Sequence, residues 1–516
     1  MCRTLMSIIK PRLAYFEDVE QTFQRVQQAT SDFAYFCALY LSEAFTVPFA
    51  DYHKILIEII NQQKITPVQI EKLKPLIKSD YHKYLKPVEK LEGIIDVEPR
   101  EHGKTTRMSQ AFPLWLALTK KEVFPVIIAM SREKATEYLD SIKLELDNND
   151  LINEDFGDQR GHIWKSNRIV LKNGNAIAAL GRGESIRGIK YKYRRPTHII
   201  CDDLLKDKEV ESPTLREYTD TWFKRVIMNL GKESLIILVN TIMHPDDLPS
   251  RRLNDLTEGK LTKWIGLKFS AVLPNGKPLW PQMWPAEAIE QKKISLGTHV
   301  FATEWDNNPL PNSAKKFRKE QMKYFNIEDV NLMEYEISMG IDPATGKELG
   351  SASAIAIVGK HQRGYIDVLD EFAGQISDLE FIDIIIEKYL LWMQLSGKPS
   401  RYVIFEEMVF QEIYKNFLVR EAMKKGVTMN VTGRKQTANK LFRISRLAAP
   451  VESGIIRFKC GLKLPNYLDE FPKGLLDLPD ALEMAVAPWI KEPKPQPSAH
   501  RLGQKSEAAQ ILERYK

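Results

Sequence analysis

The stretch VEPREHGKTTR, residues 97–107, decides the fold class. The short apolar run GIIDV leads into it and MSQAFPLWLAL follows it, so a strand, a tight loop, Gly103-Lys104-Thr105 and a helix come in that order. A phosphate cradle needs this order. Backbone N–H groups of the loop and of the helix N-terminus face the phosphates, a lysine bridges the outer ones, and a hydroxyl takes Mg²⁺. Arg100, Glu101, His102, Gly103, Lys104, Thr105 and Thr106 are the expected nucleotide-binding residues, with Thr105 also on the metal. Glu98 stands where the pattern GxxxxGK[ST] has its first glycine, so only the second glycine is kept.

With 516 residues the chain exceeds one core; at roughly 150 residues per domain, two large domains and smaller pieces are expected. Hydrophobic residues make up 43% and charged residues 28%, ordinary globular usage that argues against extensive disorder. The net charge of +6, from 74 basic and 68 acidic residues, is compatible with a polyanionic partner without implying one. Cys2, Cys37, Cys201 and Cys460 have no CxxC spacing. They imply neither a zinc site nor a disulfide framework, which suits a reducing cytoplasm. No run approaches the ~18 apolar residues of a membrane helix, and Arg3, Lys10, Pro11 and Arg12 make the N-terminus a poor signal peptide.

Residues 1–85 read as a helical region, with apolar residues three and four apart and Thr66-Pro67 as a cap followed by a first-turn proline. Their aromatics read as core. From about residue 90 short apolar runs alternate with helices, the pattern of a parallel α/β sheet covered on both faces. The run THIICDD ends in two acids. Asp202 is expected to hold the Mg²⁺ of ATP and Asp203 to orient or deprotonate the attacking water. Asn240 and Thr241 end the run LIILVNT, where loss of the γ-phosphate can be sensed. Between Ile186 and Arg195 five of ten residues are Lys or Arg, interleaved with Tyr191 and Tyr193, a mix that can grip phosphates and bases or form a solvated hairpin. Arg187, flanked by Ile186 and Gly188, is the better candidate for a role near nucleotide.

In order and spacing, PREHGKTT, SIRG, RRPTHIICDDL, VNT and HPDDL resemble the large terminase subunit of tailed bacteriophages over residues 90–490. The resemblance implies an ATP-driven motor that packs double-stranded DNA into a procapsid. Lys104 and Thr105 would bind phosphates and Mg²⁺, Arg100 would be the family's loop arginine with a catalytic role, Asp202 the metal carboxylate, Asp203 the catalytic one and Thr241 part of the coupling motif. Many relatives have glutamate where Asp203 stands and glycine where Asn240 stands.

The expected organisation is an N-terminal helical region, 1–85; a P-loop ATPase domain, 86–310; a linker, 311–335; an RNase H-like nuclease domain, 336–490; and a flexible tail, 491–516. After the linker, EISMGID, SASAIAIVGK and GYIDVLDEFAG form a β-meander whose first strand ends in Asp342. RYVIFEEM then presents Glu406 and Glu407, of which alternation lets only one face a site, and Glu406 is preferred. In GLLDLPDALEMAV, Asp477 and Asp480 are three apart on one helix face, Asp477 the preferred ligand and Asp480 the reserve. Convergence of Asp342, Glu406 and Asp477 requires a ribonuclease H arrangement, and such a cluster can hold two Mg²⁺ or Mn²⁺ ions ~3.5–4 Å apart. Arg434, Lys435, Lys440, Arg443 and Arg446 form a cationic region beside it, with Lys440 and Arg443 the expected DNA contacts.

The resemblance further implies a portal protein and a small terminase subunit as partners, a homo-oligomeric ring on the portal, no membrane, and work in the cytoplasm of the infected bacterial host. It also suggests an arginine supplied in trans to a neighbour's site, with Arg187 or one of the basic residues near it as the donor. The rival reading is a helicase-like P-loop ATPase whose RNase H fold is catalytically silent.

Overall fold

A computed structural model describes residues 20–184, 186–230, 233–309, 315–343, 352–406, 411–434 and 440–490. Glu407, Lys435, the first nineteen residues and the expected tail from 491 on lie outside the described residues, as does the side chain of Glu406. The chain divides into two compact units, the first drawn from Met1–Glu290 and Val300–Leu310, the second from Gln291–His299 and Pro311–Lys494.

The first unit is built on eight strands: β1 (Gly93–Val97), β2 (Pro125–Ala129), β3 (Arg160–Trp164), β4 (Arg168–Leu171), β5 (Ala176–Gly181), β6 (His198–Asp202), β7 (Leu235–Asn240) and β8 (Trp264–Lys268). Their order is β3-β4-β5-β2-β6-β7-β1-β8. The six strands from β5 to β8 pair in parallel, and β1, β2 and β6 are buried along their whole length. Burial on both faces is why these strands read as unbroken apolar runs instead of alternating ones. β3, β4 and β5 pair antiparallel, an edge hairpin added to the expected parallel sheet. Because β7 separates β1 from β6, the C-terminal ends of all three open side by side, where ligands of such sheets bind.

The N-terminal helices, expected as a domain of their own, belong to this unit. Phe33 packs edge-on to Phe112 and Trp115 with centroids 5.7 and 5.3 Å apart, and the Trp115 indole donates to the Ala29 carbonyl at 2.8 Å. Residues 29–77 share one apolar core with the helix that follows the phosphate loop, since that helix, apolar all round, needs cover on the side away from the sheet. Thr66 caps the helix Pro67–Leu73 with proline at its first turn, as expected.

The second unit has seven strands: β9 (Lys323–Phe325), β10 (Tyr335–Asp342), β11 (Ser353–His361), β12 (Ile366–Gly374), β13 (Tyr402–Glu406), β14 (Val431–Arg434) and β15 (Ile456–Lys459). β10, β11 and β12 form the antiparallel meander, and β13 and β14 add in parallel on the far side of β10. The resulting order, β14-β13-β10-β11-β12-β15-β9, contains the ribonuclease H arrangement. β9 lies in the segment expected as a linker, so that segment also supplies an edge strand of this sheet.

Helix Asp477–Val486 lies on β10 at Gly340, where a Cβ would come within 2.0 Å of the Ala481 carbonyl oxygen. Only glycine lets the helix approach so closely, and the approach brings its first-turn aspartates to the end of β10 where Asp342 sits. Gly340→Ala is expected to lower the stability of the second unit by about 2 kcal/mol through overpacking, measured as an earlier thermal unfolding transition by calorimetry.

Candidate active sites

The first site is assembled at the C-terminal ends of β1, β6 and β7. In the loop after β1, Glu101 and Gly103 both adopt positive φ, +62° and +71°, a left-handed turn that orients successive backbone N–H groups into an anion-binding concavity. Trp284 donates its indole N–H to the Glu101 carbonyl at 3.1 Å, and Trp280 packs against Gly103. His102 is fully buried, lies 2.9 Å through Nδ1 from the Arg100 carbonyl, and is edge-on to Trp305. Burial pushes its pKa down to about 4, so it is neutral near pH 7. Arg100 is half-exposed, with its guanidinium 3.3 Å from Glu304 and its backbone N–H on the Glu304 carbonyl.

Lys104 is the centre. Its ammonium donates to the Thr241 hydroxyl at 2.8 Å and lies 3.3 Å from Asp203 Oδ2. Thr241 in turn donates to the Glu98 carbonyl at 2.9 Å. Asp203 has φ +39°, a conformation costly for any residue but glycine, and is held in it by Asn240 Nδ2 at 3.3 Å and the Thr241 N–H at 3.4 Å. Asn240, where relatives are expected to have glycine, thus fixes the second aspartate. Asp202 accepts from Ser109 at 2.8 Å through one oxygen, and its other oxygen is buried with no partner. Burial, then the charge of Asp203, push its pKa up to about 6, while Lys104, Ser109 and the nearby Thr105 hydroxyl pull the other way. An unpartnered carboxylate oxygen beside a threonine hydroxyl is a donor set that suits Mg²⁺. Thr106 opens the π-helical turn Thr106–Ala111 and is half-buried. Arg187 is exposed, with one long contact of 3.5 Å to the Arg225 carbonyl.

The second site lies where β10 and helix Asp477–Val486 meet. Asp342, Asp477 and Asp480 converge on one ammonium: Lys440 Nζ is 2.8, 2.7 and 3.7 Å from them. Burial pushes Asp342 up to about 7 even against the pull of Lys440, and the aspartates outweigh burial to raise Lys440. Asp480 is fully buried and gripped by Arg443 at 3.2 and 2.6 Å. The backbone of Glu406 occupies the register position of β13 next to Asp342, one step beyond the Ile341–Phe405 pair. Among the described residues no three His, Cys, Asp or Glu side chains are grouped so as to hold a metal ion; the lysine stands between the aspartates. Both expected DNA contacts, Lys440 and Arg443, lie against this cluster. Lys440 points into the acidic cluster, and Arg443, 4% exposed, is turned inward onto Asp480, because acids this crowded attract the nearest cations before solvent phosphates can.

No protein-family model and no curated protein matches the chain. Among solved structures, the large terminase from a thermophilic bacteriophage, in complex with ADP, is 13% identical with TM-score 0.46, over 82% of this chain and 91% of that one. The chain is similar to large terminases. The HK97 bacteriophage large terminase is 14% identical with TM-score 0.32, over 85% of this chain and all of that one. The human cytomegalovirus terminase nuclease domain is 16% identical with TM-score 0.27, over 33% of this chain and 92% of that one.

Several residues of the first site escape a reading of motifs. Ser109 is one turn past GKT, and Tyr138, raised by burial and by Asp202 and Asp203, comes from the helix Arg132–Asn148. Neither carries a pattern that marks it. Arg443→Met leaves Asp480 buried without its guanidinium and is expected to destabilise the second unit by about 3 kcal/mol. Adding Asp480→Leu should recover part of that loss, read from denaturant midpoints of the single and double variants.

Proposed function

We propose that the chain is the ATP-hydrolysing and DNA-cutting subunit of a viral DNA-packaging motor. The observation that carries this reading is the joining of Lys104, Thr241, Asp203 and Asp202 at the ends of three adjacent parallel strands. Lys104 and the loop N–H groups bind the β- and γ-phosphates, and Thr105 with Asp202 holds Mg²⁺, which when bound offsets phosphate charge. Asp203, fixed by Asn240 and Thr241, orients the attacking water and accepts its proton. Thr241 touches both Lys104 and Asp203, so a change in the phosphates is felt at the end of β7. Arg187, exposed on its loop, is the arginine offered to a neighbouring subunit's site in a ring on the portal.

The hairpin closed by the Tyr191–Arg194 bridge presents Lys192 and a fully exposed Tyr193, with Lys190 and Arg195 beside them, a surface suited to double-stranded DNA. In the second unit Asp342, Glu406 and Asp477, with Asp480, supply the hard oxygen donors that suit two Mg²⁺ or Mn²⁺; bound there, such ions supply activated water and stabilise the leaving 3′ oxygen. Lys440 and Arg443 keep the cluster compact until it is filled. The motor then cuts concatemeric DNA into genome lengths in the host cytoplasm, with the small terminase subunit and the portal as partners. The position of Lys440 among the aspartates is the one observation that favours the second reading, a helicase-like ATPase with a silent ribonuclease H fold.

Lys104→Ala and Asp203→Asn are each expected to lower steady-state ATP turnover by at least about 100-fold; unchanged turnover in either contradicts the motor. When Arg187→Ala chains are mixed with Asp203→Asn chains, phosphate release should recover above that of either alone, and no recovery argues against donation in trans.

A further inference from the structure

The phosphate loop has an acid at its first glycine position, and that acid is buried. Glu98 has no exposed surface; its side chain is paired with Arg107, and its other oxygen accepts from the Tyr52 hydroxyl at 3.0 Å. Tyr52 lies on the N-terminal helix Asp51–Gln62, in a region whose sequence carries no chemical motif. The backbone of Glu98 serves the nucleotide site directly. Its N–H donates to the Asn240 carbonyl at 3.0 Å, and its carbonyl accepts from Thr241, whose hydroxyl receives Lys104. A single residue therefore joins the N-terminal helix, through its side chain, to the catalytic lysine, through its main chain.

The surroundings leave Glu98 little freedom. His53 Nδ1 accepts from the Ala50 N–H at 3.2 Å, so the neutral ring carries its proton on Nε2, 3.9 Å from Glu98. Burial lowers its pKa and keeps it neutral. Asp96, in β1 and two residues before Glu98, is fully buried. Burial, then the charge of Glu98 and a side-chain hydrogen bond with it, raise its pKa, while Arg107 pulls the other way. Arg107 and the Tyr52 hydroxyl donate to the two oxygens of Glu98, one each. A buried carboxylate deprived of a donor costs more than the bond it lost, and shifts to regain one.

We propose that Tyr52 and Glu98 are positioning residues of the phosphate loop, which makes the N-terminal helices a working part of the nucleotide site. This rests on the reading of that site as one for a nucleoside triphosphate. Tyr52→Phe keeps the ring against Phe269, 4.7 Å between centroids, and removes only the hydroxyl. In the full chain, the dissociation constant for Mg²⁺-ATPγS measured by calorimetry should rise about 5- to 10-fold, the equivalent of one ordinary hydrogen bond. The melting temperature without nucleotide should stay within about 2 °C of wild type. Glu98→Gln should weaken binding similarly, and the double variant should be no weaker than the worse single one, because both act through one contact. Equal affinity of Tyr52→Phe and wild type overturns the proposal, as does additivity in the double variant. If Tyr52→Phe does not fold, Glu98→Gln alone decides, with wild-type affinity overturning the proposal. Lys104→Ala separates the two failures: wild type binding no better than Lys104→Ala removes the nucleotide site itself.

Discussion

Carboxylates gathered at the ends of strands repel one another, and burial makes each harder to ionise. In both units the answer is a lysine ammonium set among them. Lys104 bridges from the phosphate loop to Asp203 and Thr241, and Lys440 stands between Asp342 and Asp477. Without these cations the acids would be protonated or driven apart, and neither cluster would keep a shape that a metal or a phosphate could use. Burial is the larger influence on these acids, and the lysines pull against it. Asp202 sits near pKa 6 and Asp342 near 7, values at which the carboxylates can still lose their protons to an incoming divalent ion.

The folds bring these groups together by different routes. In the first sheet parallel pairing aligns the carboxyl ends of β1, β7 and β6, so three loops distant in sequence share one edge. In the second, one aspartate comes from a strand end and two from a helix turn, and their meeting depends on how closely that helix lies on β10. The N-terminal helices extend the same logic, since they cover the apolar helix after the phosphate loop and reach the buried acid inside the loop.

Much of this was legible because the relevant residues sit where secondary structure changes. GKT follows a strand and opens a helix, Asp202 and Asp342 end strands, and Asp477 and Asp480 begin a helix; composition and period locate such boundaries. What could not be read depends on the direction of side chains. Lys440 and Arg443 look like a solvated basic helix until the acids they face are placed beside them. Glu98 reads as a departure from a pattern, and its partners Tyr52 and Arg107 lie 46 residues before and 9 after it. The antiparallel direction of β4 was not legible because antiparallel and parallel strands this short have the same composition, nor was β9, because three residues carry no period.

Two chemically separate acidic sites, one proposed for a nucleoside triphosphate and one for a phosphodiester, are built on consecutive sheets of a single chain. The most direct test is metal-dependent cleavage of supercoiled plasmid with Mn²⁺, wild type against Asp342→Asn, with ATP turnover followed in the same preparations. If each site works as proposed, cutting is lost in Asp342→Asn while ATP turnover stays at the wild-type rate. Plasmid cutting that survives the substitution would contradict it.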